Sequence, residues 1–230
     1  MRGRPEGLLL VDKPAGMTSH DVVLIVRRVY GEKSIGHLGT LDPFATGLLV
    51  LLLGRSTRLA NFIETEPKVY EATIAFGAET DTDDSTGSVI RHAGVPSQDA
   101  VDTAIPGLTG LIEQVPPDYS AKSVDGVRAY DAARKGAALA LPAVTVNVHE
   151  WKVRHRAADS MDVTITCGTG TYIRALARDL GRASGSAAHL TSLRRIRSGE
   201  FDVADAVSIE NLKLHPPALR ELKVIALPPV

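Results

Sequence analysis

Cysteine is nearly missing from this chain of 230 residues; Cys167 is the single one, which excludes an internal disulfide and a multi-cysteine metal site. Set in Val163-Thr164-Ile165-Thr166-Cys167, it reads as a small buried thiol rather than a nucleophile. The seven histidines include no pair at a zinc-ligand spacing accompanied by cysteines, so no metal is expected. Residues 81–92 superficially suggest a calcium loop, but Thr86 stands where such a loop needs glycine and His92 where it needs its closing glutamate. Long apolar runs are lacking too. None approaches the roughly 20 residues of a membrane span, and residues 8–11 are too few for the core of a secretory signal. The expectation is a cytoplasmic protein with no membrane association, uninterrupted by repeats or low-complexity tracts.

An excess of positive charge is also absent: 26 basic residues face 27 acidic ones, which argues mildly against a protein that grips phosphates. Distribution qualifies the total. Residues 171–200 hold Arg174, Arg178, Arg182, Arg194, Arg195 and Arg197 against Asp179 and Glu200, whereas residues 79–84 hold four acids and no base. That sidedness suits an RNA-facing surface with acids elsewhere, and equally a solvated helix face. Apolar residues at 44% and charged residues at 23% are ordinary globular values, and the length suits one large domain, with or without a subdomain.

Glycine, by contrast, is concentrated in one informative place. Gly36-His37-Leu38-Gly39-Thr40-Leu41-Asp42-Pro43-Phe44-Ala45-Thr46-Gly47 offers a single carboxylate, Asp42, from a frame that permits torsions and close approaches other residues resist. The apolar residues 48–53 follow at once as a buried strand or buried helix segment. Asp42 is thus expected where an irregular loop meets the core, a common location for catalytic groups. Asp before Pro is also an ordinary turn initiator, and on composition alone that reading stays open.

Periodicity places the surroundings. Residues 21–30 carry Val22, Val23, Ile25, Val26 and Val29 at helical spacing, with Thr18 or Ser19 as N-cap and Gly31 as the stop. Strands are expected at residues 69–76, 144–148 and 161–167, and helices at residues 99–108, despite Pro106, and 172–180, with Gly181 at the end. A further helix around residues 130–135 leads into an alanine-rich connector at 136–141. Strands and helices without regular βαβ alternation indicate an α+β fold.

The order of residues in the glycine-rich loop resembles the nucleophile loop of the TruB family of tRNA pseudouridine synthases, Gly-His-x-Gly-x-Leu-Asp-Pro-x-Ala-x-Gly, with every fixed position filled. The likeness extends along the chain. Gly7-Leu8-Leu9-Leu10-Val11-Asp12-Lys13-Pro14-Ala15-Gly16-Met17-Thr18-Ser19 resembles the family's opening strand and turn. Lys68-Val69-Tyr70, Thr80-Asp81-Thr82-Asp83-Asp84, Gln114-Val115-Pro116-Pro117, Tyr119-Ser120-Ala121-Lys122, Gly170-Thr171-Tyr172-Ile173-Arg174 and His189-Leu190-Thr191-Ser192-Leu193-Arg194-Arg195 are similar to its later motifs, in order.

The resemblance implies the pseudouridine synthase fold, a mixed, mainly antiparallel sheet flanked by helices with the active cleft across it. It implies isomerisation of uridine to pseudouridine at position 55 in the T-loop of tRNA by a monomer. Asp42 is then the nucleophile, attacking either the sugar or the pyrimidine ring, and the reaction needs no cofactor. Arg174 becomes its candidate cation, with a planar fork suited to a carboxylate. A uridine in folded RNA must leave its stack, and Tyr70, Tyr172 and Leu193 match the positions lining the slot that receives it, Tyr70 also as proton acceptor or donor. His37 matches a position beside the flipped nucleotide. Lys13, Lys122, Arg194 and Arg195 are phosphate or positioning contacts, and Asp84 holds basic residues in place or caps a turn.

Two departures from the family pattern stand out. Lys122 is followed by Ser123, which puts a contact from that second position in doubt. Many bacterial members continue into a small RNA-binding domain, whereas the expectation here is a catalytic domain over residues 1–210 followed by a short tail, 211–230. Other readings are a relative acting on another RNA, and a module that binds and folds T-arms without chemistry. A glycoside hydrolase would need a second placed carboxylate, for which there is no clear motif.

Overall fold

The computed structural model describes residues 5–120, 123–124, 127–128 and 141–222. Lys122, the expected helix around 130–135 and most of the alanine-rich connector lie outside these residues. The chain divides into two compact units, one from Met1–Thr65 with Arg194–Val230, the other from Glu66–Leu193.

In the first unit β1 (Gly7–Lys13) and β3 (Thr46–Leu53) pair antiparallel from Gly7 opposite Leu53 to Lys13 opposite Gly47, and β2 (Ile35–Leu38) lies on the other edge of β3. The ambiguous apolar run is therefore a strand. It is apolar without alternation because both faces are covered. Leu49, Leu51 and Leu53 pack with Leu9, Val11 and the Val22, Val23 and Val26 face of α1 (Ser19–Tyr30). Leu48, Val50 and Leu52 pack with Leu8, Leu10, Leu38 and Phe201. The ends of α1 follow from sequence: Thr18 and Asp21 form a capping box, and Gly31 closes the helix at φ 66°.

The second unit is built on β4 (Lys68–Phe76), which pairs antiparallel with β11 (Ser160–Cys167), then β10 (Val144–Arg156), then β7 (Gly110–Gln114). β5 (Ala78–Thr80) and β6 (Val89–His92) form a hairpin, and β8 (Ser123–Val124) and β9 (Val127–Arg128) a minimal one. The helices are α2 (Gln98–Ala104) and α3 (Ile173–Ala183). β12 (Ala188–Ser198) passes from one unit to the other; its N-terminal part lies beside β4, and Arg194 and Arg195 run parallel to Thr46 and Gly47 of β3. β13 (Phe201–Asp202) folds back on β12, and β14 (Val207–Ser208) joins β1 in parallel. Two parallel pairs among antiparallel ones give the mixed, mainly antiparallel sheet of the expected α+β class.

Several boundaries differ from expectation. The helix expected at 99–108 gives way to a 3₁₀ turn at Ile105–Leu108, since Pro106 cannot donate an intrahelical bond. β10 continues to Arg156 through a largely polar and exposed half whose apolar residues are only Trp151 and Val153, and it is bulged after Val148 and Val153. Gly181 does not end α3 but lies inside it; a Cβ there would sit 2.5 Å from the Ala188 nitrogen, so the residue serves close packing. The expected tail also takes part in the fold. Leu212 of α4 (Ile209–Leu214) is fully buried, and Arg220 exchanges two 2.9 Å backbone hydrogen bonds with Leu8.

Candidate active site

Asp42 lies half-buried on the loop between β2 and β3, and the main chain on each side of it is held by a separate group. Before it, Ser19 Oγ accepts from Leu41 N at 2.9 Å and lies 3.1 Å from the Leu41 carbonyl, to which it donates. After it, the Pro43 carbonyl accepts from Gly16 N at 2.8 Å and from Lys13 Nζ at 3.3 Å. Lys13 is fully buried and its ammonium also donates to the Pro14 and Met17 carbonyls, at 2.9 and 2.7 Å. Burial pulls its pKa down to about 8, against the attraction of Asp42. Further out, Arg195 donates through Nη2 to Gly39 O at 3.0 Å and through Nε to Leu48 O at 2.8 Å. Gly47 has φ 101°, and a Cβ there would lie 2.2 Å from the Arg195 carbonyl oxygen, so no other residue fits without moving the backbone. His37, half-buried on β2, has its pKa lowered by burial, then by Arg195 and His20, which keeps the imidazole neutral at neutral pH; its Nδ1 is buried without a hydrogen-bond partner.

In the second unit Tyr70 is buried on the same face of β4 as Lys68, Ala72 and Ile74. Leu193 of β12 is buried. Tyr172 immediately precedes α3; Gln114 accepts from its amide at 2.8 Å and donates to its carbonyl at 3.1 Å. In the first turn of the helix, Arg174 is buried and donates through Nη1 to Thr82 O at 2.7 Å and through Nη2 to Tyr119 O at 2.9 Å. Its Nε lies 3.8 Å from Asp84 Oδ2. Asp84 both faces a basic residue and caps a turn, accepting through Oδ1 from Thr82 Oγ1 at 2.8 Å and Thr86 N at 2.9 Å.

The basic and acidic runs are not a basic face with acids elsewhere, as their separation in sequence suggested. They face each other. Arg174, Arg178 and Arg182, four residues apart on α3, meet Asp84, Asp83 and Glu79 in turn. Glu79 is buried beneath Arg182 and Arg91; burial raises its pKa, but the hydrogen bonds and charges of the two arginines outweigh this and the net shift is downward. Two residues read as phosphate or positioning contacts, Lys13 and Arg195, are buried and hold the loop backbone rather than face solvent. Arg194 is half-buried and bidentate to Asp12, at 2.7 and 3.0 Å. Sequence reading missed Ser19, Gln114, Asp83 and Arg178 as members of these arrangements. Ser19 and Gln114 stand within motifs that resemble the family's, and Asp83 and Arg178 left a signal in the matched spacing of the arginines and the acid run. Among the described residues no group of three or more His, Cys, Asp or Glu is placed to hold a metal ion, and no helix is long and apolar enough to cross a membrane.

Comparison with known proteins assigns the family. Residues 27–173 match the model for the TruB family pseudouridylate synthase N-terminal domain, and residues 174–221 that for the tRNA pseudouridylate synthase B C-terminal domain. The boundary between the two falls inside α3, so it does not coincide with the division into compact units. Proteins named tRNA pseudouridine synthase B from Thermobifida fusca (strain YX) and Mycobacterium avium (strain 104) are 48% and 47% identical to the chain, covering 90% of it and 74% and 69% of their own lengths. Among solved structures, a Cbf5-Nop10-Gar1 complex matches with a TM-score of 0.71 and 27% identity over 91% of this chain. An H/ACA RNP bound to a substrate RNA containing 2'-deoxyuridine matches with a TM-score of 0.68 and 25% identity, again over 91% of this chain. The chain spans about half the length of these solved chains, 54% and 53%. With the two family models together matching residues 27–221 and relatives at nearly half identity over most of their lengths, the chain belongs to the TruB family of pseudouridylate synthases.

Proposed function

We propose that the protein isomerises uridine to pseudouridine in tRNA, at position 55 of the T-stem-loop, acting as a cytoplasmic monomer through residues 1–210. The observation that carries this reading is Asp42, on a loop whose backbone is held on both sides while the carboxylate itself stays half-buried. An aspartate carboxylate is ionised near neutrality and serves as a nucleophile without a cofactor. The isomerisation breaks the bond from N1 of the base to C1′ and forms one from C5, with the C5 proton lost and N1 protonated, so the base must be held while it turns.

The family motifs assign the other roles. Arg174 balances the catalytic carboxylate, Tyr70 stacks on the base and exchanges its proton, and Tyr172, Leu193 and His37 complete the slot. A neutral His37 is suited to stacking on an uncharged base. Lys122 and Arg194 are assigned to RNA contact, and Lys13 and Arg195 act through the loop they hold.

The test is single-turnover pseudouridine formation on a T-arm RNA, with the modified position mapped. Wild type should modify position 55 alone. Asp42→Asn should bind the RNA and lose turnover by on the order of 10⁴-fold. Retained turnover in Asp42→Asn, checked by mass against deamidation, would overturn the nucleophile, and a product elsewhere would overturn the target position.

A further inference from the structure

The turn that receives Arg174 is held by a second arginine one helical turn along. Asp83 is the sole non-glycine residue with positive φ among the described residues, at 60°, a left-handed conformation that is unfavourable for a residue with a side chain and persists where its surroundings enforce it. Its conformation sets the direction of the two groups Arg174 touches, the carbonyl of Thr82 before it and the carboxylate of Asp84 after it. What enforces it is visible. Asp83 Oδ2 accepts from Arg178 Nη1 at 2.9 Å, its amide donates to Thr80 O at 3.2 Å, and its carbonyl accepts from Leu190 N at 3.1 Å. Arg178 also donates through Nε to Asp179 and through Nη2 to Val115 O, at 2.9 and 2.8 Å. Arg174 and Arg178 are thus parallel bridges from α3, each reaching the 82–84 turn on one side and the 115–119 segment on the other.

We infer that the Arg178–Asp83 pair is a positioning device for the reaction: it fixes the left-handed turn against which Arg174 is aligned, and acts on turnover only through Arg174. The inference rests on the reading of Arg174 as the cation serving the catalytic carboxylate. Both charges of the pair are buried, so neither is offered to RNA.

The experiment measures single-turnover rates on T-arm RNA at saturating enzyme, beside the RNA Kd and the melting temperature, for the full chain and four variants. Asp83→Asn keeps size and tolerance of the left-handed conformation while removing the charge. Arg178→Met removes the other partner, Arg174→Lys blunts the proposed target, and the fourth combines Arg178→Met with Arg174→Lys. Asp83→Asn and Arg178→Met should each slow turnover roughly tenfold or more with Kd within about twofold, as small misplacements of a catalytic group do. In the combined variant the losses should not multiply, because residues acting through one another are not additive. A wild-type rate in Asp83→Asn beside a slow Arg174→Lys overturns this inference alone, as do multiplying losses. A wild-type rate in Arg174→Lys overturns the role of Arg174 itself. If Arg178→Met fails to fold, Asp83→Asn decides.

Discussion

In the first unit the buried cations Lys13 and Arg195 grip main-chain carbonyls, whereas in the second Arg174, Arg178 and Arg182 grip carboxylates and carbonyls together. Carbonyl dipoles replace lost water only in part, and Lys13 shows the shortfall in a pKa pulled down to about 8. A facing carboxylate does more: hydrogen bonding to Glu79 raises the pKa of Arg182. The two solutions suit different tasks. Cations on carbonyls fix the path of the loop that carries Asp42. Cations on carboxylates fix a turn and an arginine together, where the charge to be aimed is positive.

The contrast is sharpened first at Arg195. Arg195→Met leaves the buried Leu48 carbonyl and the carbonyl of exposed Gly39 without their charged donor and should cost roughly 4 kcal/mol in urea unfolding. Lys13→Met should cost less, roughly 2–3 kcal/mol, since relief of the buried charge offsets part of the lost hydrogen bonding. Its signature is in the pH dependence. With a folded pKa of about 8 against 10.5 in the unfolded chain, the folded state sheds its proton first, so the stability of wild type relative to Lys13→Met should grow as pH rises from 8 toward 10.5. A difference that stays flat over that range would show that Lys13 is not buried as a charge.

Asp83 should give the opposite slope. Burial raises its pKa to about 6 against the attraction of Arg178 and Arg174, with Glu79 and Asp179 adding to the rise. Its stabilising contribution is therefore full below about pH 4 and is lost as pH rises through 6, so wild type should lose ground to Asp83→Asn across that window, by no more than about 3 kcal/mol. A slope of the other sign would mean that the ion pair with Arg178 outweighs burial and holds an ionised Asp83 throughout. The smallest effect belongs to the exposed pair of Arg55 and Glu6, 80% and 39% accessible, where Arg55→Met should change stability by less than about 0.5 kcal/mol. A loss approaching that of Arg195→Met would dissolve the distinction between buried and exposed cations.

Legibility in sequence followed locality. α1 was readable to its caps because Thr18, Asp21 and Gly31 act on neighbours a few residues away. The polar half of β10 was not, because its pairing with β11 is decided by the partner strand rather than by its own apolar pattern. Gly181 looked like a helix stop since glycine is enriched there, and only the Ala188 backbone against it explains why it sits inside. Asp42 was visible through the order of residues around it. The charge runs were visible as runs, but their partnership spans about ninety residues of chain, and no local pattern tells a solvated basic face from one closed by acids.

By itself the sequence determined the local conformations and the motif order that names the family, because caps, glycine turns and unbroken apolar strands act over a few residues. The tertiary structure decided which charges are spent inside the molecule. Burial and counter-charge depend on which distant segments meet, so Lys13 and Arg195 became supports for the Asp42 loop, and Arg178 became the neighbour that holds the turn for Arg174.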